Sequence, residues 1–130
     1  MFNPTIPVVY GFHEGLTEVM DFEERVMAKV LLERWEQLAG TARYDAKELA
    51  KLSNLSVRQL QRDFRQNLER SPQDWLNEQR VKAARQLLLS GQPVKAVAFE
   101  LGFKQPSHFC RQFKSFNNLT PSQFTSQERV

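Results

Sequence analysis

Two sets of long, hydrogen-bonding side chains stand in matching places along this 130-residue chain. The first is Arg58, Gln59, Gln61, Arg62 and Arg65, and the second is Gln105, Ser107, His108, Arg111 and Lys114. A guanidinium can grip the O6 and N7 of guanine with two hydrogen bonds, and a carboxamide can do the same on adenine. Lysine and arginine can also neutralise phosphates. The chemistry on offer is recognition, not turnover. His13 and His108 lie far apart with no acid or nucleophile constellation, and no glycine-rich phosphate loop occurs. Cys110, the single cysteine, excludes a disulfide framework and a Cys-rich zinc site. It falls between Phe109 and Arg111, where a redox-sensing thiol is one reading and a small packed or surface cysteine the commoner one. No catalysis, cofactor, metal or small-molecule pocket is expected.

Both sets are carried by an internal repeat. The first copy runs Leu49-Ala50-(x3)-Asn54-Leu55-Ser56, then Leu60, Phe64, Ser71-Pro72 and Trp75. The second runs Val97-Ala98-(x3)-Gly102-Phe103, then Phe109, Phe113, Thr120-Pro121 and Phe124. The offset is 48 residues at the alanines and 49 from Leu60 onward, so one extra residue sits in the second turn. A fixed period sets the architecture before any other clue. Each copy has a small residue where two helices would cross, Ala50 or Ala98. Four residues later comes one that tolerates a left-handed backbone, Asn54 or Gly102. That is the pattern of a helix-turn-helix, whose second helix enters the major groove.

Helix starts are legible throughout. Asp21 with Glu24, Asp45 with Glu48, and Ser56 with Gln59 all have capping-box spacing. Ser71-Pro72 and Thr120-Pro121 put proline at a first helical position, and Pro106 opens another helix. The spacing predicts helices over about 21–38, from Asp45, from Ser56, over about 72–89, over 94–101, from Pro106 and from Thr120. Gly40, Gly91 and Gly102 are the expected stops. The inner faces are Leu49, Ala50 and Leu52; Leu60 and Phe64; Trp75, Leu76, Val81, Ala84, Leu87 and Leu88; Phe109 and Phe113; and Phe124. No credible strand is found, and the fold is expected to be all-α.

Residues 1–15, with two prolines and two glycines, read as an extended arm. In the helix that follows, Phe22, Val26, Val30 and Leu38, with Met27, Leu31 and Trp35 beside them, form one broad apolar stripe. It packs on the same chain or forms a dimer seam. Residues 1–40 hold three basic and seven acidic side chains, whereas residues 41–130 hold fifteen basic and eight acidic. An acidic leader before a basic module points to a polyanionic partner; ordinary solvated helix faces are the plainer explanation of charge alone. A hydrophobic content of 41% argues for a folded chain. No apolar run reaches membrane length, and the N-terminus lacks the basic and apolar regions of a signal peptide. A cytoplasmic protein without membrane contact is expected.

Residues 45–125 resemble the DNA-binding domain of the AraC/XylS family of bacterial transcription regulators. The resemblance rests on Ala98-(x2)-Leu101-Gly102-Phe103-(x3)-Ser107-(x)-Phe109-(x3)-Phe113-Lys114, followed by Thr120-Pro121. The stretch Trp75-Leu76-(x3)-Arg80-Val81-(x2)-Ala84-(x2)-Leu87-Leu88 is similar to the family's linker helix. It implies two helix-turn-helix subdomains, at 41–70 and 93–126, joined by a linker helix over 72–89 and preceded by an N-terminal region over 1–40. Recognition helices at about 56–66 and 106–115 would enter successive major grooves. A linker of about 17 residues would be about 25 Å long, and a few ångströms for each subdomain's offset would bring the readers to roughly the 34 Å of one DNA turn. The resemblance assigns base reading to Arg58, Gln61, Arg62, Gln105, Ser107, His108 and Arg111, and phosphate contact to Ser56 (through its amide), Arg65, Lys104 and Lys114. Arg80 and Arg85 on the linker helix stay open between phosphate clamps and internal salt bridges.

Where the family usually has glycine this chain has Asn54, Glu69 and Asn118; Glu69 fits a left-handed backbone poorly, so a changed loop is expected there. Some DNA-repair methyltransferases carry a similar domain, but with a multi-cysteine zinc site that this chain lacks. The implied function is a sequence-specific regulator of transcription, an activator acting with RNA polymerase. A homodimer through the N-terminal helix is a further reading. The rival reading is a protein-interaction module, or a fragment of a longer regulator, whose acidic N-terminal helix binds a partner or masks the basic face.

Overall fold

The computed structural model describes residues 21–128, and the arm expected over residues 1–15 lies outside them. Among the described residues there are seven helices and no strand. They are α1 (Phe22–Ala39), α2 (Ala46–Leu52), α3 (Val57–Leu68), α4 (Pro72–Leu89), α5 (Val94–Glu100), α6 (Pro106–Asn117) and α7 (Pro121–Glu128). The chain divides into two compact units between Leu76 and Asn77, inside α4.

In the first unit, α1 starts because Asp21 and Glu24 cap each other. The Glu24 amide donates to Asp21 Oδ1 at 2.8 Å, and the Asp21 amide to Glu24 Oε1 at 3.1 Å. The helix buries Ala28, Leu32, Trp35 and Ala39. Trp35 stacks on Phe64 of α3 with ring centroids 4.0 Å apart, and Phe64 meets Trp75 of α4 at 5.4 Å. Leu49, Ala50, Leu60, Leu68 and Leu76 complete this core, with Leu31 and Leu38 packed at its edge. The single apolar stripe expected for α1 is therefore two faces. Trp35 and its neighbours pack inward, while Phe22, Val26, Met27 and Val30 stay exposed. Leu52, expected inward on α2, is also exposed, because α2 ends there.

Gly40 does not end α1 through a left-handed turn; it keeps helical angles, φ −65° and ψ −43°. The reversal falls instead on Arg43 and Tyr44, at φ 56° and 57°. Gln73 of α4 secures that reversal. Its amide donates to the Tyr44 carbonyl at 2.9 Å and accepts from the Ala46 amide at 3.0 Å. Asp45 then caps α2 by accepting from the Glu48 amide.

The second unit is centred on rings. Phe103, Phe109, Phe113 and Phe124 touch in sequence, with centroids 5.3, 5.8 and 5.5 Å apart. Val81, Ala84 and Leu88 of α4 and Val97 and Ala98 of α5 are buried with them, while Leu87 is half-buried. Thr120 and Gln123 form a reciprocal cap on α7, at 2.9 and 3.1 Å. Each unit thus has its own apolar centre, and α4 supplies residues to both.

Candidate nucleic-acid interface

The two turns close in the same way. In the first, Asn54 takes φ 59° and the Leu55 amide donates to the Ala50 carbonyl at 2.9 Å. In the second, Gly102 takes φ 85° and the Phe103 amide donates to the Ala98 carbonyl at 3.0 Å. Both alanines are buried, as close helix crossing requires. Residues 53–56 separate α2 from α3, and residues 101–105 separate α5 from α6. The extra residue of the second copy therefore lies after Phe103, just before the helix begins. This changes how each helix starts. The Ser56 hydroxyl accepts from the Gln59 amide at 3.0 Å. Gln105 supplies no side-chain cap, and Pro106, which has no amide hydrogen, begins α6.

Phe64 and Leu60 are fully buried on α3, as are Phe109 and Phe113 on α6. Their burial orients the rest of each helix. Arg58, Gln61, Arg62 and Arg65 are exposed on α3, and Ser56 is exposed at its start. Lys104, Gln105, Ser107, His108, Arg111 and Lys114 are all exposed on or before α6. Beside α6 lies a groove of about 860 Å³ that brings Lys104, Gln105, His108 and Arg111 together; Ser107 and Lys114 are not on its walls. Gln59 is half-buried and turns along its own helix, donating to Asp63 Oδ1 at 3.5 Å. Burial pushes the Asp63 carboxyl above the usual carboxylate range, against the opposing pull of that bond and of the Arg62 charge.

Both candidate helices also end alike. Glu69 and Asn118 adopt left-handed angles, φ 56° and 60°, and donate their amides back to the carbonyls of Arg65 and Lys114. The loop at Glu69 is thus not changed as expected. Helix closure imposes the left-handed turn on a residue that strains to adopt it.

The open question over Arg80 and Arg85 resolves inward. Arg80 Nε donates to the Leu101 carbonyl at 2.9 Å, and its guanidinium lies 3.6 Å from the centroid of the Phe103 ring. Arg85 donates to Asn117 Oδ1 at 2.8 Å. Helical spacing held a signal for this, since Arg80 lies one turn from buried Ala84 and Arg85 one turn from buried Val81.

The sequence pattern of the family described as a helix-turn-helix domain matches residues 49–127, which takes in both turns and α4. The chain belongs to the AraC family of DNA-binding transcription regulators. It is 38% identical over 78 residues to an HTH-type transcriptional regulator of Haemophilus influenzae, covering 59% of this chain and 26% of that protein. It is 39% identical over 54 residues to the virulence regulon transcriptional activator VirF of Yersinia enterocolitica, covering 41% of this chain and 20% of that protein. Among solved structures, a transcriptional regulator with an AraC-type DNA-binding domain from Chromobacterium violaceum shares the fold. Its TM-score is 0.62 at 24% identity, over 75% of this chain and 95% of that one. The chain spans about a quarter of the length of the curated relatives it matches. No helix among the described residues is long and apolar enough to cross a membrane.

Proposed function

We propose that this chain reads a bipartite DNA site in sequence-specific fashion, α3 entering one major groove and α6 the next. The observation that carries this reading is the repeated geometry. Two helices with buried aromatic inner faces present exposed arginines at equivalent places, Arg62 on α3 and Arg111 on α6. Arg58, Gln61 and Arg62 take the base-reading role in the first helix, and Gln105, Ser107, His108 and Arg111 in the second. Ser56, Arg65, Lys104 and Lys114 hold phosphates, which contribute affinity and register without reading sequence. The DNA-binding module is residues 41–130, with α4 as its linker. By its resemblance to VirF, named a transcriptional activator, the chain activates transcription in the cytoplasm by recruiting RNA polymerase.

The test is selection of bound duplexes from a random pool at near-physiological salt. Enrichment of an asymmetric motif with two blocks about 10 bp apart supports the reading. Binding that is salt-sensitive but indifferent to sequence defeats it and favours the interaction-module alternative. A palindromic motif would mean a dimer, and the exposed row Phe22, Val26, Met27 and Val30 on α1 is where its contact would be sought. A reporter gene unchanged by expression of the chain would defeat the activator assignment.

A further inference from the structure

Two arginines of α4 reach opposite ends of α6. Arg80 holds the turn that precedes the helix, through the Leu101 carbonyl and the Phe103 ring. Arg85 holds the far end through Asn117, whose own amide nitrogen donates to the Phe113 carbonyl at 3.0 Å. Phe103 and Phe113 are in turn the two rings that flank Phe109 in the core of this unit. The contacts at the two ends therefore meet the same packed body that carries the exposed face of α6.

We infer that Arg80 and Arg85 are positioning residues for DNA recognition: together they clamp α6 at a set pitch, so that Gln105, His108 and Arg111 meet base edges in register. This rests on the base-reading role proposed for α6. The physical case lies in the geometry of the guanidinium. Its planar fork can lie flat on a ring while one N–H points along the plane to a carbonyl, which a lysine ammonium cannot reproduce. Such a contact is shielded and charge-assisted, so it holds more firmly than an exposed one. Bidentate base contacts tolerate little displacement, and supporting residues that lock a reading helix act on specificity before affinity. Arg80 also stands on the wall of the groove that gathers Lys104, Gln105, His108 and Arg111. A loosened clamp would move that wall and the readers together.

The experiment compares the full chain with Arg80→Lys, Arg80→Gln, Arg85→Gln and Asn117→Ala on the selected duplex and on an unrelated one, across a salt series. A clamp predicts that Arg80→Lys behaves like Arg80→Gln. Both lose about tenfold or more in the ratio of specific to non-specific binding, with discrimination lost in one block of the motif. The salt slope stays at its unsubstituted value. Arg85→Gln and Asn117→Ala lose similar ratios, and combining them adds nothing further. If lysine at position 80 preserves the ratio while glutamine flattens the slope by about one, Arg80 is a phosphate contact and the inference is wrong. Amide exchange of residues 106–117 in the free chain provides a readout independent of DNA. Faster exchange in Arg80→Lys and Arg85→Gln supports the clamp, and unchanged exchange in both overturns it. A chain that selects no sequence would sink the proposed function, and exchange alone would then decide the clamp.

Discussion

Replacing Trp35 by alanine tests how α1 belongs to the molecule. Trp35 is 2% exposed and stacks at 4.0 Å on Phe64, which itself carries the inner face of α3. Truncating a buried tryptophan to alanine costs about 3–5 kcal/mol through lost burial and the cavity left behind. Small domains have only about 5–15 kcal/mol in total. Trp35→Ala should therefore remove a large share of the first unit's stability and lower its melting temperature by on the order of 15 °C. Phe22→Ser and Val30→Ser provide the control from the same apolar stripe. Phe22 is 72% exposed and Val30 52%, so each should cost under about 0.5 kcal/mol. Urea unfolding followed by helical circular dichroism measures all three. Trp75, whose ring lies 5.4 Å from that of Phe64, serves as an internal fluorophore once Trp35 is gone. Should Trp35→Ala melt within a few degrees of the parent, or the two serines cost as much as the alanine, α1 is not packed through Trp35. A chain shortened to begin at residue 41 would lose Leu32, Trp35 and Ala39 from the same core, and should be destabilised further still.

Glu69→Gly should stabilise the chain by about 0.5–1 kcal/mol. It relieves a left-handed residue that costs roughly 1–2 kcal/mol, offset by glycine's greater freedom when unfolded; a lower midpoint in urea would refute the strain at φ 56°. The Asp63 carboxyl has its folded pKa raised by burial, so the fold binds that proton more tightly than the unfolded chain and disfavours the ionised form. Stability should therefore fall as pH rises from the ordinary carboxylate value through the raised one. Asp63→Asn should gain stability at neutral pH and lose that gain in acid, and a pH-independent difference would contradict the cause assigned. Arg62→Ala or Arg111→Ala should cost about 1–3 kcal/mol on the selected site and relax preference at one base pair, whereas Lys114→Ala should weaken all duplexes alike and reduce the salt slope by about one. Quantitative binding across mismatched duplexes separates the two classes, and identical behaviour would refute the division of roles.

Much of this fold could be read from local chemistry. Capping residues act on amides three positions away, so Asp21, Asp45, Ser56 and Thr120 announce their helices without knowledge of anything distant. The left-handed turns at Asn54 and Gly102 are local in the same sense. So is the exposed polar face of each candidate reading helix, because burying Phe64 or Phe113 fixes which residues lie opposite. What resisted was anything decided by a partner far along the chain. Glu69 shows the limit from the other side: its side chain argues against a left-handed backbone, yet closing α3 onto Arg65 overrides that preference.

The sequence by itself determined the all-α architecture, the repeat with its one-residue difference, and which polar side chains stand exposed on α3 and α6. Each of these follows from periodicity and short-range hydrogen bonding. Tertiary structure alone decided which half of the α1 stripe is buried, because Trp35 finds Phe64 29 residues away while Phe22 and Val30 find no core within the described residues. It alone decided what Arg80 and Arg85 hold. An arginine on a helix surface carries no local mark of its partner, and only the arrival of Leu101, Phe103 and Asn117, 21 to 32 residues further on, supplies the carbonyl, ring and amide that hold it.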